Sequence, residues 1–271
     1  MSLSNVVQQP GNTPTTAGAP TASGAHDTVT IRTKLRALIE RRPVAAALGL
    51  FLANIVLVSS TGAVANTVAS AVPQLPDFIA MCAGILGVIV LVSVLGWWRV
   101  VGFNDPATWR GLRVLALPAA TFVLLPFVAG FRPVAPASTA FFILAYALTG
   151  FYEEVLYRGV LLRVLRPTGT TRVVFLVSVL FGASHLANVL FRNPFIVLAQ
   201  AVGAFCDGVG LATLRLRTNT LWFVIGLHTL HDLFLHYTRL PKIPLDVVQD
   251  IIMLAYGLYL LRGLRAAERG K

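Results

Sequence analysis

Apolar residues fall in blocks of about 20 along most of this chain, separated by short proline-rich or arginine-rich intervals. Blocks of that length are what a helix needs to cross the hydrocarbon of a bilayer. Eight can be drawn, at about residues 44–60, 78–98, 113–131, 137–164, 171–191, 194–214, 219–238 and 246–262. Helix breakers mark several limits. Pro73 and Pro76 precede the second block, Pro133 and Pro136 the fourth, and Pro167 and Gly169 follow the fourth; Pro194 opens the sixth, and Pro241 and Pro244 precede the eighth. The expected fold is all-α, a polytopic membrane helix bundle of about eight transmembrane helices. The division expected is a disordered cytoplasmic tail at 1–31, the bundle at 32–265 and a short cytoplasmic tail at 266–271. The first thirty residues are rich in Thr, Ala, Gly, Pro and Ser, too poor in large apolar side chains to bury a core, and they lack the basic start and apolar run of a signal peptide.

Composition strengthens this picture. Of 271 residues 56% are hydrophobic and 12% charged, against roughly 25% charged in a soluble domain. The formal net charge of +11 does not point to nucleic acid, because the basic residues lie between apolar runs rather than on one polar face. Their distribution instead fits the excess of Lys and Arg expected in cytoplasmic loops. Alternate intervals collect 17 of the 22 basic residues on one side, from Arg32, Lys34, Arg36, Arg41 and Arg42 through to Arg262, Arg265, Arg269 and Lys271. The other side holds only Arg132, Arg192, Arg239 and Lys242, with Arg158 inside a span. The expected location is the cytoplasmic membrane, multi-pass, with both termini cytoplasmic, and membrane lipid is the first partner, its anionic headgroups drawn to the basic side. Cys82 and Cys206, far apart and each in an apolar stretch, read as small core residues rather than a disulfide or a thiolate metal site.

Against this background a few polar residues stand out: Glu153, Glu154 and Arg158 in the fourth block, His185 in the fifth, Asp207 in the sixth, and His228, His231, Asp232 and His236 in the seventh. A charge at mid-membrane costs roughly 2.5 to 3.5 kcal/mol, so each needs a specific partner. At a helical rise of 1.5 Å per residue, Glu153 would lie about 18 Å, His185 about 21 Å, His228 about 14 Å and Asp232 about 20 Å from the same bundle end. Three helices thus bring carboxylates and imidazoles to one level. Glu154 and Arg158, four apart, share a face and can pair. Glu153 sits about 100° round the helix from Glu154 and about 140° from Arg158, free of that partner. The pair reads as support and Glu153 as the group available for chemistry, with a packing-only charge cluster as the bland alternative. Tyr157 reads either as a partner of Glu153 or as an interfacial aromatic. His231 reads as lining the edge of the site or, in preference, as bonding a neighbouring helix, His236 as interfacial, and Asp207 as a packing or supporting residue.

These residues also form an ordered set of motifs. EEVLYR (Glu153 to Arg158) fits Glu-Glu-x-x-x-Arg, FGASH (Phe181 to His185) fits Phe-x-x-x-His, and HTLHD (His228 to Asp232) fits His-x-x-x-Asn/Asp. In this order, on successive apolar segments, they resemble the CPBP family, also called ABI, which groups type II CAAX prenyl proteases with bacteriocin-processing enzymes. The resemblance covers about residues 137–238. It implies an intramembrane endopeptidase that hydrolyses a peptide bond in a membrane-associated or lipidated protein or peptide. Glu153 would be the general base on a water held also by His185, while His228 and the residue at 232 would stabilise the oxyanion. The catalytic set implied is Glu153, Glu154, Arg158, His185, His228 and Asp232.

Asp232 departs from the Asn that many members carry there. An ionised carboxylate cannot donate a hydrogen bond, so its oxyanion role is weakened. The same departure favours a zinc-assisted alternative, with Glu153, His185, His228 and Asp232 as the metal shell. A catalytically silent membrane scaffold or bacteriocin-immunity protein of the same fold is the main rival. A serine protease built on Ser184 with His228, and a proton-coupled transporter, are lesser ones.

Overall fold

A computed structural model describes residues 23–72, 74–108, 110–190 and 192–270. It is an all-helical polytopic bundle. Its long helices are α1 (Ser23–Arg41), α2 (Pro43–Ala69), α3 (Leu75–Leu95), α4 (Gly111–Ala129), α5 (Pro136–Thr168), α6 (Thr170–Val189), α7 (Pro194–Thr218), α8 (Trp222–Tyr237) and α9 (Lys242–Arg269), with a single helical turn at Trp98–Val101. Prolines open α2, α3, α5 and α7 in the first turn, where the missing N–H costs nothing. The Asn193 side chain caps α7 by accepting from the Phe195 amide at 2.9 Å. Internal Pro118 and Pro126 disturb α4, which changes between 3₁₀, α and π winding along its length.

Seven of these helices are long and apolar enough to cross a membrane. The seventh block of the sequence is the exception to the expected eight. It becomes α8, a 16-residue helix, about 24 Å long against a hydrocarbon thickness near 30 Å. Its polar load of His228, Thr229, His231, Asp232 and His236 is stabilised inside the bundle, where it packs along α5 and against α4, α7 and α9. At the chain ends, α1 starts within the segment assigned to the first tail and α9 continues to Arg269. The part of that first tail at 1–22 lies outside the described residues.

Lipid does not drive helices together hydrophobically, so close backbone packing must. At the crossing of α7 and α9, a Cβ on Gly257 would lie 2.8 Å from the backbone nitrogen of Gly210. Only glycine lets these two helices approach so far. Cys82 is exposed and Cys206 half-buried, so neither is the core residue expected; an apolar stretch in a membrane helix faces lipid as readily as protein.

The basic intervals gather at one end of the bundle. Arg32 and Arg36 donate to the carbonyls of Val94 and Leu95 at the end of α3, Arg163 faces Glu40 at 3.9 Å, Arg215 donates to Val101, and Arg172 shares a cleft with Arg265 and Arg269. At the opposite end Arg132 and Arg239 are tied together through backbone bonds to Tyr237 and Gly130.

Candidate active site

The acidic motif lies where α5 changes its winding. Pro136–Glu153 is α-helical, and Glu154–Leu161 continues as a π-helix whose eight residues are all buried. Widened i→i+5 turns are uncommon and recur at functional sites. Here the wider turn narrows the 140° separation expected between Glu153 and Arg158, yet the two glutamates still part company. Glu154 accepts from Arg158 Nη1 at 2.9 Å, both side chains fully buried. The 20% exposure of the Glu153 side chain sets it apart from that sealed pair.

His228 ties α8 to this motif. Its Nδ1 donates to Glu154 Oε1 at 2.8 Å, because a carboxylate without a proton can only accept. The ring therefore presents Nε2 to Glu153 Oε2 and Asp232 Oδ2, each at 3.6 Å. Glu154 thus holds Arg158 with one contact and fixes the His228 ring with another. Glu154 Oε2 and Arg158 Nε and Nη2 are sealed without hydrogen-bond partners among the described residues. The Arg158 guanidinium is partly compensated by lying 4.1 Å from the centroid of the Phe181 ring.

Phe181 joins the third segment. Its ring meets His185 edge-on at 5.1 Å, His228 at 6.0 Å and Tyr157 at 5.0 Å. Tyr157 is therefore a buried packing partner of that ring rather than an interfacial aromatic. His185 stands where α6 tightens from α to 3₁₀ winding. Its Nδ1 donates to the Phe181 carbonyl at 2.9 Å, which leaves Nε2 as the acceptor of the neutral ring. His185, His228, Asp232 and Arg158 all lie within electrostatic reach of Glu153. All six sequence-selected residues, from α5, α6 and α8, thus belong to one region.

A second polar cluster adjoins the first. His231 Nδ1 faces Asp232 Oδ1 at 3.5 Å and Asp207 Oδ2 at 3.8 Å, and its Nε2 faces Asp246 Oδ1 at 3.5 Å. Asp250 leans over Gly203 and lies within electrostatic reach of Asp207, Asp246 and His231. Asp232 stands between the clusters, one oxygen toward each histidine. The interhelical position of His231 is the one preferred from its spacing, whereas Asp246 and Asp250 are signalled along the chain only by their four-residue spacing at the start of the last apolar block. His236, read as interfacial, bonds Tyr146 at 2.9 Å and meets the Phe142 ring at a tilt, the centroids 4.3 Å apart.

Residues 135–234 match the sequence model of the family described as Type II CAAX prenyl endopeptidase Rce1-like. This stretch is similar to an Rce1-like domain. The match takes in α5 to most of α8, a little over a third of the chain, and agrees with the CAAX protease resemblance of the three motifs. All six motif residues fall inside the matched stretch, whereas Asp246 and Asp250 lie beyond it. No curated protein matches the chain. A membrane-embedded protease of CAAX type is the general activity this match supports.

The zinc alternative would draw its ligands from Glu153, His185, His228 and Asp232. Among the described residues no three His, Cys, Asp or Glu side chains are arranged to hold a metal ion. Ser184 is also poorly set up as a nucleophile: its hydroxyl donates to the Phe181 carbonyl at 2.7 Å, and the nearby imidazole is that of His185 at 3.4 Å rather than His228.

Proposed function

We propose that this protein is an intramembrane endopeptidase that hydrolyses a peptide bond in a membrane-associated protein or peptide, lipidated substrates included. Glu153 acts as the general base. The observation that carries the reading is the opposition of Glu153 Oε2 and His228 Nε2 at 3.6 Å, with the His228 ring locked from behind by Glu154.

A water accepted between Glu153 and the free Nε2 of His185 loses its proton to Glu153 as its oxygen attacks the scissile carbonyl. The carbonyl oxygen takes up the electron pair and is met by the Nε2 proton of His228, which acts as an imidazolium with both ring nitrogens protonated among the carboxylates of Glu154, Glu153 and Asp232. Collapse of the tetrahedral species breaks the C–N bond, and Glu153 returns the proton to the leaving amine. Fixed donors aimed at a developing oxyanion contribute most in a site shielded from bulk water. Asp232, an acceptor with an oxygen toward each of two histidines, orients the imidazoles rather than donating to the oxyanion. The substrate enters from the membrane, and its lipidation belongs to this proposal.

The test compares membrane proteomes of the native host carrying wild type or Glu153→Gln, followed by cleavage of the recovered substrate by purified protein. Accumulation of uncleaved substrate in the variant is the expected result. An unchanged proteome and unchanged phenotype would support the silent scaffold or immunity reading instead. Zinc assistance is tested separately on the purified enzyme with a strong chelator: metal-free chemistry predicts full activity, and a loss restored by zinc would revive the four-ligand shell.

A further inference from the structure

At the arginine-rich end of the bundle, a cavity of about 300 Å³ lies between the end of α5 and the end of α7. Its polar wall is Arg163, Arg166, Arg215 and Asn219, and Val100 and Leu162 are among its apolar residues. Arg215 is 95% buried, its residual exposure being 5%. Its Nε and Nη2 both donate to the Val101 carbonyl, at 3.3 and 2.9 Å. The next residue, Gly102, has φ +122°, and a Cβ there would lie 2.3 Å from Arg215 Nη2, so the backbone is shaped around the guanidinium.

Burying a guanidinium costs several kcal/mol unless an anion and hydrogen bonds compensate. Two bonds to one carbonyl oxygen supply the second element and not the first. Among the described residues no carboxylate pairs with Arg215 or Arg166, and Arg163 has only the long 3.9 Å contact to Glu40. The neighbouring cleft of about 350 Å³ shows the contrast: Arg172, Arg265 and Arg269 line it, but so does Glu268, whose carboxylate also accepts from Thr170. That cleft carries its own anion, whereas the Arg215 cavity has none.

We propose that the Arg163–Arg166–Arg215 cavity binds a phosphate oxyanion, supplied by the headgroup of an anionic lipid or by free phosphate. Guanidinium forks match phosphate oxygens in pairs, and Arg163, Arg166 and Arg215 all line this cavity, the Arg163 group lying also 5.7 Å from the centroid of the Trp97 ring. The apolar wall suits the glycerol and upper acyl part of a lipid: Leu162 is buried, and Val100, 46% exposed, opens outward. Basic pockets between spans are places where anionic headgroups lodge. This site is separate from the Glu153 region and does not depend on its chemistry.

The test uses full-length protein purified in mild detergent and measures retained lipid by native mass spectrometry. Wild type should retain phosphatidylglycerol at least about tenfold more tightly than phosphatidylcholine. The double variant Arg163→Gln/Arg166→Gln should lose that preference while its Tm without lipid stays within a few degrees of wild type. Arg215→Gln should lose the preference too, but it also removes the bonds to Val101, so the double variant decides. Displacement of the lipid by millimolar inorganic phosphate would identify the oxyanion itself as the recognised group, and persistence would identify the intact lipid; both support the site. Equal retention of the two lipids by wild type, or an undiminished preference in the folded double variant, would overturn it.

Discussion

Two histidines three residues apart on one short helix sit in opposite kinds of surroundings. His228 has a buried Arg158–Glu154 ion pair behind it and faces a partly exposed Glu153 in front. His231 is a single imidazole among the carboxylates of Asp207, Asp232 and Asp246, with its ring 4.3 Å from that of Phe122. The first is anchored by that ion pair with its Nε2 turned to Glu153, which is what a reacting group needs. The second is engaged from several helices at once and joins α7, α8 and α9. In the proposed mechanism the same residue type would serve chemistry in one place and assembly in the other, and the difference lies in the buried ion pair that anchors His228.

The largest effect should come from Glu153→Gln. Losing a general base typically costs about 10²- to 10⁴-fold in rate, so cleavage of a recovered substrate should fall at least about a hundredfold, with an unchanged helical circular dichroism spectrum. His228→Ala should follow, losing about 10²- to 10³-fold in kcat as an oxyanion donor is removed. His231→Ala should instead lower Tm more than it lowers kcat. Should the two variants behave alike, the contrast drawn between the clusters fails. Breaking the support is a matter of stability: Arg158→Ala leaves Glu154 buried without its cation and should cost about 3–5 kcal/mol, read by denaturant titration in detergent. Asp232→Asn keeps the shape and adds a donor toward the oxyanion, so kcat should stay within about tenfold of wild type; a hundredfold loss would mean that a charged ligand at 232 is required. The smallest effect belongs to Ser184→Ala. Its hydroxyl is occupied by a backbone carbonyl, so activity should stay within about twofold, and surface-type tolerance of this kind separates packing from chemistry.

Much of the candidate site was legible along the chain. Glu154 and Arg158 pair at i,i+4 as their spacing requires, and Phe181 lies against His185 for the same reason. Such contacts are set within one helix, where spacing alone decides. Other features were not legible. The π winding of Glu154–Leu161 depends on packing around a wholly buried segment, and α winding is the default that any sequence of this composition suggests. That Glu154 grips His228 as well as Arg158 joins residues 74 positions apart, which no local pattern encodes.

Taken alone, the amino-acid order determined that apolar blocks must be helical and buried in lipid, because a backbone in hydrocarbon has to bond within its own segment. It also determined which charges were too costly to be incidental. Which carboxylate meets which imidazole, and that α8 is a short helix stabilised by its neighbours, were decided only when the helices packed. Partners on different helices are chosen by the rotation and approach of whole helices, and those depend on contacts such as Gly210 against Gly257.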